Sequence, residues 1–74
     1  MTEIPLLSYV AMAEDIPGQG LTRGELGTVV EMLGTEADPV SLVEFSDEFG
    51  QAYAFAELRP AQLIVLHHKW SDAA

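Results

Sequence analysis

The chain has 74 residues and 49% of them are hydrophobic, while 12 acidic residues against 3 basic ones give a formal net charge of −9. A chain this short has room for one small core and therefore for one domain, and its hydrophobic content excludes a disordered chain. The negative charge repels phosphates and anionic lipids, so nucleic acid and membrane surfaces are unfavourable partners. The sequence contains no cysteine, which excludes a disulfide framework and favours a reducing, cytoplasmic setting.

Short apolar runs separated by turn residues predict an all-β domain. The first run follows Glu3 and does not fit a signal peptide, because an acid stands where the positive n-region belongs. We predict a single domain over residues 7–68, with tails at 1–6 and 69–74. Its five predicted strands span Leu7–Ala13, Leu26–Leu33, Val40–Phe45, Ala52–Ala56 and Leu63–His67.

The segments between these runs carry residues that are typical of turns. The first segment, EDIPGQGLTRG, holds too many prolines and glycines for a helix, so it predicts a long loop closed by a tight turn. Gly50 is the predicted position of positive φ in the turn after the third strand, and Pro60 predicts a single helical turn before the fifth strand. This order of elements predicts a small five-stranded SH3-like barrel.

Gly24 and Gly27 precede a run of branched apolar residues, and we interpret both glycines as structural. A small barrel closes only where its strands bend, and glycines can supply the tight turn and the kink that begin the second strand. We expect at least one of the two at positive φ or in a bulge. A phosphate-binding loop is not expected, because no helix pattern follows and the lysine of a P-loop is missing.

Three segments carry a resemblance to a known family: EDIPGQGLTRGELGTVVEML, VSLVEFSDEFGQAYAF and LRPAQLIVL. From about Ser8 to Leu66 the chain resembles the small bacterial proteins known as domain of unknown function 4926, whose pattern includes Gly-x-x-Gly-Thr-Val-Val and a closing Gln-Leu. The resemblance implies an SH3-like fold, no agreed activity and no catalytic residues. Family members are often short stand-alone proteins, some of them beside toxin-like genes, which implies an antitoxin or immunity role.

The segment Gly-x-x-Gly-Thr-Val also resembles the KOW motif of RNA-binding barrels, which use basic and aromatic loops. Here the predicted loop between the second and third strands carries Glu36 and Asp38 and no lysine or arginine. The charge therefore argues against a nucleic-acid role and favours a basic protein as partner.

Few residues are suited to catalysis or metal binding. His67 and His68 are adjacent, so in a strand they point to opposite faces and do not easily share one metal ion. The paired acids Glu14–Asp15 and Asp47–Glu48 fall on predicted turns, where we expect solvated charges rather than a buried catalytic pair. We therefore assign no catalytic, cofactor-binding or metal-binding residue, and we expect neither an enzyme nor a cofactor.

Charged strand residues indicate which face is exposed to water, because side chains alternate along a strand. If Glu31 and Glu44 point outward, the side chains that point inward are those of Thr28, Val30, Met32, Val43 and Phe45. The same alternation leaves on the outer face Val29, Leu33, Leu42, Tyr53 and Phe55. Either the barrel curls until both faces are buried, or these outer residues form part of an apolar contact surface.

Two functions are compatible with the sequence. One is a non-enzymatic protein-interaction module that binds a basic partner, for which the candidate partner-binding residues are Glu36, Asp38, Val29, Leu42, Tyr53 and Phe55. The other is an assembly subunit of a larger complex or a homo-oligomer, since a domain this small with apolar residues on both strand faces has little stability alone.

Overall fold

A computed structural model describes residues 4–66 of the chain. The five strands are β1 (Tyr9–Met12), β2 (Leu26–Gly34), β3 (Pro39–Ser46), β4 (Ala52–Leu58) and β5 (Leu63–Val65). Two short 3₁₀ turns complete the fold, Pro17–Gln19 in the long loop between β1 and β2 and Pro60–Gln62 directly before β5. Proline begins both turns because its fixed φ suits the first helical position.

All five strands belong to one antiparallel sheet in the order β4-β3-β2-β1-β5. The first four strands follow one another as neighbours, and the chain then crosses over to place β5 beside β1. This is the topology of a small SH3-like barrel, and it confirms the predicted all-β class. The sheet is not closed, however: within residues 4–66, β4 and β5 each pair on one side and form the two edges.

The core lies on one face of the sheet, which we call the inner face. Its largest fully buried side chains belong to Val10, Met12, Val29, Val43, Phe45 and Leu58. The long loop adds Leu21, which is 3% exposed and is held by a bridge to Ile16. Ile4 is also buried in the core, so the packed domain begins before residue 7 and includes part of the predicted N-terminal tail.

A bulge in β2 changes which residues face the core. The register between β2 and β3 shifts between Val29 and Glu31, so Val30 is an extra residue without a partner on β3. Because a bulge adds one residue, the alternation before it is out of phase with the alternation after it. The predictions that Val29 faces outward and Thr28 inward are therefore wrong. The side chain of Val29 is fully buried opposite Val43, and Thr28 lies opposite Glu44 on the other face.

Two glycines shape the start of β2 by different means. Gly24 has a φ of 92° in the tight turn where the N–H of Glu25 donates to the carbonyl of Thr22 at 3.0 Å. Gly27 lies against β3, where an added β-carbon would lie 2.6 Å from Cγ1 of Val43. The positive φ expected at one of these glycines is thus present at Gly24, and the one expected in the β3–β4 turn is present at Gly50.

Candidate protein-interaction surface

The face of the sheet opposite the core, which we call the outer face, carries a row of side chains across four strands. Tyr9 of β1 lies opposite Thr28 of β2, and Thr28 lies opposite Glu44 of β3. Glu44 in turn lies opposite Phe55 of β4. Opposed residues of an antiparallel pair share a face, with their β-carbons about 4.5–5.5 Å apart. Two exposed aromatic rings therefore flank a hydroxyl and a carboxylate.

A second row of the outer face lies beside the first and is aliphatic. Ala11 of β1 lies between Leu26 of β2 and Ile64 of β5. Leu26 and Ile64 are 50% and 52% exposed, although the solvated face of an antiparallel sheet normally carries polar side chains. We use the name outer patch for the exposed and half-buried members of the two rows, which are Tyr9, Leu26, Thr28, Glu44, Phe55 and Ile64.

An open groove of about 430 Å³ runs along the outer patch and reaches the turn that joins β3 to β4. Tyr9, Leu26 and Thr28 contribute to its walls. Among residues 4–66, the charged side chains that line it are acidic: Glu44, Asp47 and Glu48. A groove that combines an aromatic ring with carboxylates selects a cationic group over an anionic one.

Tyr53 lies at a second irregularity, where the register between β3 and β4 shifts. Its hydroxyl donates a hydrogen bond to Oε1 of Glu25 at 2.6 Å, and its ring centroid lies 6.5 Å from that of Phe45. This hydrogen bond raises the pKa of Tyr53 above its usual 10.0, because ionisation would remove the donated proton and place two negative charges together. The ring stays half exposed, but the hydroxyl is already engaged within the chain.

Several acids of the loops are hydrogen-bonded to loop backbone. Oδ1 of Asp15 accepts from the N–H of Arg23 at 2.8 Å. Oδ1 of Asp47 accepts from the N–H groups of Phe49 and Gln51, each at 2.9 Å. Such bonds fix the conformation of a loop and leave the carboxylate charge in place. These acids therefore shape the loops and also contribute to the negative field around the domain.

The predicted acidic pair Glu36 and Asp38 lies away from the groove. Both residues belong to the loop that leads into β3, whereas the groove adjoins the turn at the other end of that strand. The length of β3 separates the two ends by about 23 Å. Asp38 also forms an exposed ion pair with Arg59, at 3.1 Å. A role of the two acids in partner binding stays a prediction.

The apolar residues that the sequence assigns to partner contact are only partly brought together. Phe55 and the half-buried Leu42 share the outer face, whereas Val29 belongs to the core. Sequence reasoning did not find Leu26, Ile64 or Tyr9. Tyr9 and Ile64 belong to β1 and β5, which carry no charged residue that would indicate the wet face, so the alternation alone left the two faces equivalent. Leu26 belongs to β2, but the bulge separates it from Glu31, so the alternation counted from Glu31 assigns Leu26 to the wrong face.

Within residues 4–66, no group of three or more His, Cys, Asp or Glu side chains is arranged to hold a metal ion. His67 and His68, the histidines considered above, lie outside the described residues. In the same part of the chain no helix is both long and apolar enough to cross a membrane.

Strand order and surface together define a small all-β domain of SH3-like topology with an exposed aromatic and acidic outer face. The family model described as a domain of unknown function (DUF4926) matches residues 6–65, so the chain belongs to this family. The matched range contains all five strands and every residue of the outer patch. No curated protein and no solved structure matches the chain.

Proposed function

We propose that this protein is a non-enzymatic interaction module that binds a basic protein through the outer patch. The observation that carries the proposal is the row of Tyr9, Thr28, Glu44 and Phe55, bordered by a groove whose charged lining is acidic. Aromatic side chains are typical anchors of protein interfaces, because they offer a large contact area on few rotatable bonds.

A lysine or arginine of the partner would fit the groove in a defined way. Its cationic group would lie among the carboxylates of Glu44, Asp47 and Glu48, while its alkyl stem would pack on Leu26 and Tyr9. The net charge of −9 would speed the encounter with a basic protein, and the apolar contacts would slow dissociation.

An antitoxin or immunity protein that neutralises a basic toxin in the bacterial cytoplasm is one biological form of this proposal, and the acidic surface supports it. A second candidate is an assembly subunit of a larger complex or a homo-oligomer. The exposed aliphatic side chains of Leu26 and Ile64 favour this second candidate, because permanent interfaces are more apolar than transient ones.

Matched alanine variants test the proposed surface. Tyr9→Ala and Phe55→Ala remove rings of the outer patch, whereas Phe49→Ala removes a ring that is 83% exposed and lies outside the outer patch. The ligand is the basic protein that the full chain recovers at low salt from a lysate of its own source, and binding is followed by surface kinetics. We expect each patch variant to raise Kd at least tenfold, mainly through faster dissociation, and Phe49→Ala to change it less than twofold.

Three results would contradict the proposal. Recovery of only acidic or neutral partners would remove the basic partner, and an equal loss in Phe49→Ala would move recognition to the β3–β4 turn. A mass that rises well above 8.0 kDa with concentration in light scattering, and falls back in the patch variants, would favour the homo-oligomer.

A further inference from the structure

β4 is the longer of the two edge strands, with seven residues against three in β5. A long edge presents unpaired backbone groups to any other strand, and natural proteins usually block it with lysine, proline or a short strand. The sequence of β4 is AYAFAEL, with Glu57 as its one charge and no proline. Within residues 4–66, no further strand pairs with β4, and its one irregularity lies near its start at Tyr53.

Hydrogen bonds on the far side of the sheet show how the backbone of β4 is oriented. The N–H of Val29 donates to the carbonyl of Ser8 at 2.9 Å, and the carbonyl of Val29 accepts from Leu7 at 2.7 Å. Val29 therefore directs its backbone groups toward β1. Opposed residues of an antiparallel ladder alternate between hydrogen-bonded and non-bonded pairs. Val43, opposite Val29, must then direct its backbone groups toward β4, where its partner is Ala56.

The residues on either side of Ala56 have the reverse orientation. The backbone N–H and C=O groups of Phe55 and Glu57 point away from β3, toward the open edge. The side chains of both residues are exposed, and Phe55 belongs to the outer patch. A strand added at this edge would thus form its main-chain hydrogen bonds at residues whose side chains lie on the outer face.

A recess of about 510 Å³ lies along this part of β4. Three consecutive strand residues, Phe55, Ala56 and Glu57, form one wall, and Leu42 of β3 and Gln19 of the long loop complete the lining. A recess that follows consecutive residues of one strand suits an extended ligand. Glu57 is the one charged residue that the described part of the chain contributes to this lining, so the recess and the neighbouring groove have the same sign of charge.

We infer that β4 receives an extended segment of the partner, containing lysine or arginine, as a sixth strand of the sheet. The inference rests on the proposed function for the charge of the partner and adds the mode of binding. Backbone hydrogen bonds to Phe55 and Glu57 would hold the segment. On the outer face, one basic side chain would pair with the carboxylate of Glu57 and another would stack on the ring of Phe55. A second copy fits less well, because two chains of net charge −9 repel each other.

Capped heptapeptides test the inference on the full chain. The probe alternates lysine and valine; one control alternates lysine and proline, which keeps the charge but cannot pair as a strand, and another alternates glutamate and valine. Affinity is measured by NMR titration, and strand addition by hydrogen exchange of the Phe55 and Glu57 amides. We expect the lysine–valine peptide to bind at least tenfold more tightly than either control. It should also slow exchange at both amides at least tenfold, while the Ala56 amide, already bonded to β3, changes little.

The outcomes separate this inference from the proposed function. Equal binding of both basic peptides without added protection at Phe55 and Glu57 would overturn strand addition and leave the preference for a basic partner in place. Equal binding of the acidic peptide would contradict the charge selectivity of the proposed function itself. Protection of both amides in the free protein, together with a dimer mass, would place a second copy at the edge and overturn the inference. Absence of binding by every peptide at millimolar concentration would also overturn it, and the Tyr9→Ala and Phe55→Ala variants would still decide the proposed function.

Discussion

The two faces of the sheet are formed by the same strands, but large and small side chains are placed differently on them. On β4 two of the inner positions are small, Ala54 and Ala56, while the aromatic ring of Phe55 on the outer face is exposed. Across the ladder, the inner face of β3 carries Phe45, which is fully buried opposite Ala54. Small residues on β4 leave space for that ring. The contrast shows that the core does not need Phe55, so this side chain is available for contact with another molecule.

The largest expected difference between the two faces is in the stability that is lost when one phenyl ring is removed. Phe45→Ala should lower the free energy of unfolding by about 3–5 kcal/mol, because it leaves a cavity in a dry core. Phe55→Ala should lower it by less than about 1 kcal/mol, since the ring is already half in water. Urea denaturation followed by circular dichroism measures both.

Phe45→Leu is the fallback if the alanine variant does not fold, and it should still cost more than Phe55→Ala. Equal losses at the two positions would show that the outer face is part of the folding core, and the assignment of binding to that face would lose its basis.

The next largest losses of stability are expected at two glycines that are structural for different reasons. Gly27→Ala should cost about 2 kcal/mol, because the new methyl group would crowd Cγ1 of Val43 and the carbonyl of Glu44. Gly24→Ala should cost about 1 kcal/mol from its positive φ alone, since no atom of the described residues lies within 4 Å of the added β-carbon.

A second substitution distinguishes crowding from backbone strain. Val43→Ala removes the closest atom to the new methyl group, so it should recover part of the loss in Gly27→Ala and none of the loss in Gly24→Ala, apart from its own cost. Additive losses in both double variants would contradict the crowding explanation.

Local signals made most of the fold predictable from the sequence. The strands could be predicted because Gly34, Pro39 and Gly50 interrupt apolar runs, and Pro60 predicted the turn before β5. The faces of β3 and of the second half of β4 followed from Glu44 and Glu57, which cannot be buried unpaired. Each of these inferences used residues only a few positions apart.

Apart from Tyr9 and Ile64, whose strands carry no charge, the failures depend on pairing between distant segments. The bulge at Val30 arises from the register of β2 against β3, and nothing within β2 itself indicates it. The hydrogen bond from Tyr53 to Glu25 joins residues that are 28 positions apart in sequence. The groove likewise combines β1 and β2 with the β3–β4 turn, so its acidic lining could not be assigned before the sheet order was known.

A smaller effect on stability, which depends on pH, is expected at Tyr53. The hydrogen bond to Glu25 raises the pKa of Tyr53 in the folded chain, so the folded state holds the phenolic proton more tightly than the unfolded state. The stability from this bond should therefore be complete below pH 10 and decline as pH rises through the folded pKa. The chain has 2 tyrosines, so the Tyr9→Phe variant isolates Tyr53 in a titration of phenolate absorbance.

We expect a midpoint above 10.0 for Tyr53 in the folded Tyr9→Phe variant, and a lower one after Glu25→Ala removes the acceptor. Tyr53→Phe should cost about 1 kcal/mol at neutral pH, in the range of a single hydrogen bond. A midpoint at the ordinary value would show that the bond does not persist in solution, and the Tyr53 hydroxyl would then be free to contact a partner.

The smallest effect should come from the exposed ion pair between Asp38 and Arg59. Both side chains are more than half exposed, at 61% and 64%, so solvent screens their attraction and Asp38→Asn should cost less than about 1 kcal/mol. The loss should vanish in 1 M salt, where the Debye length falls to about 3 Å. Glu36→Gln changes the same charge in the same loop and is the matched control, for which we expect no measurable loss of stability.

In partner binding the two variants should have similar, small effects that slow association only, because both acids lie at the far end of β3 from the groove. A loss in Asp38→Asn that exceeds 1 kcal/mol or persists in high salt would show that the ion pair organises the loop. A change in dissociation rate in either variant would bring this loop into the interface beside the outer patch.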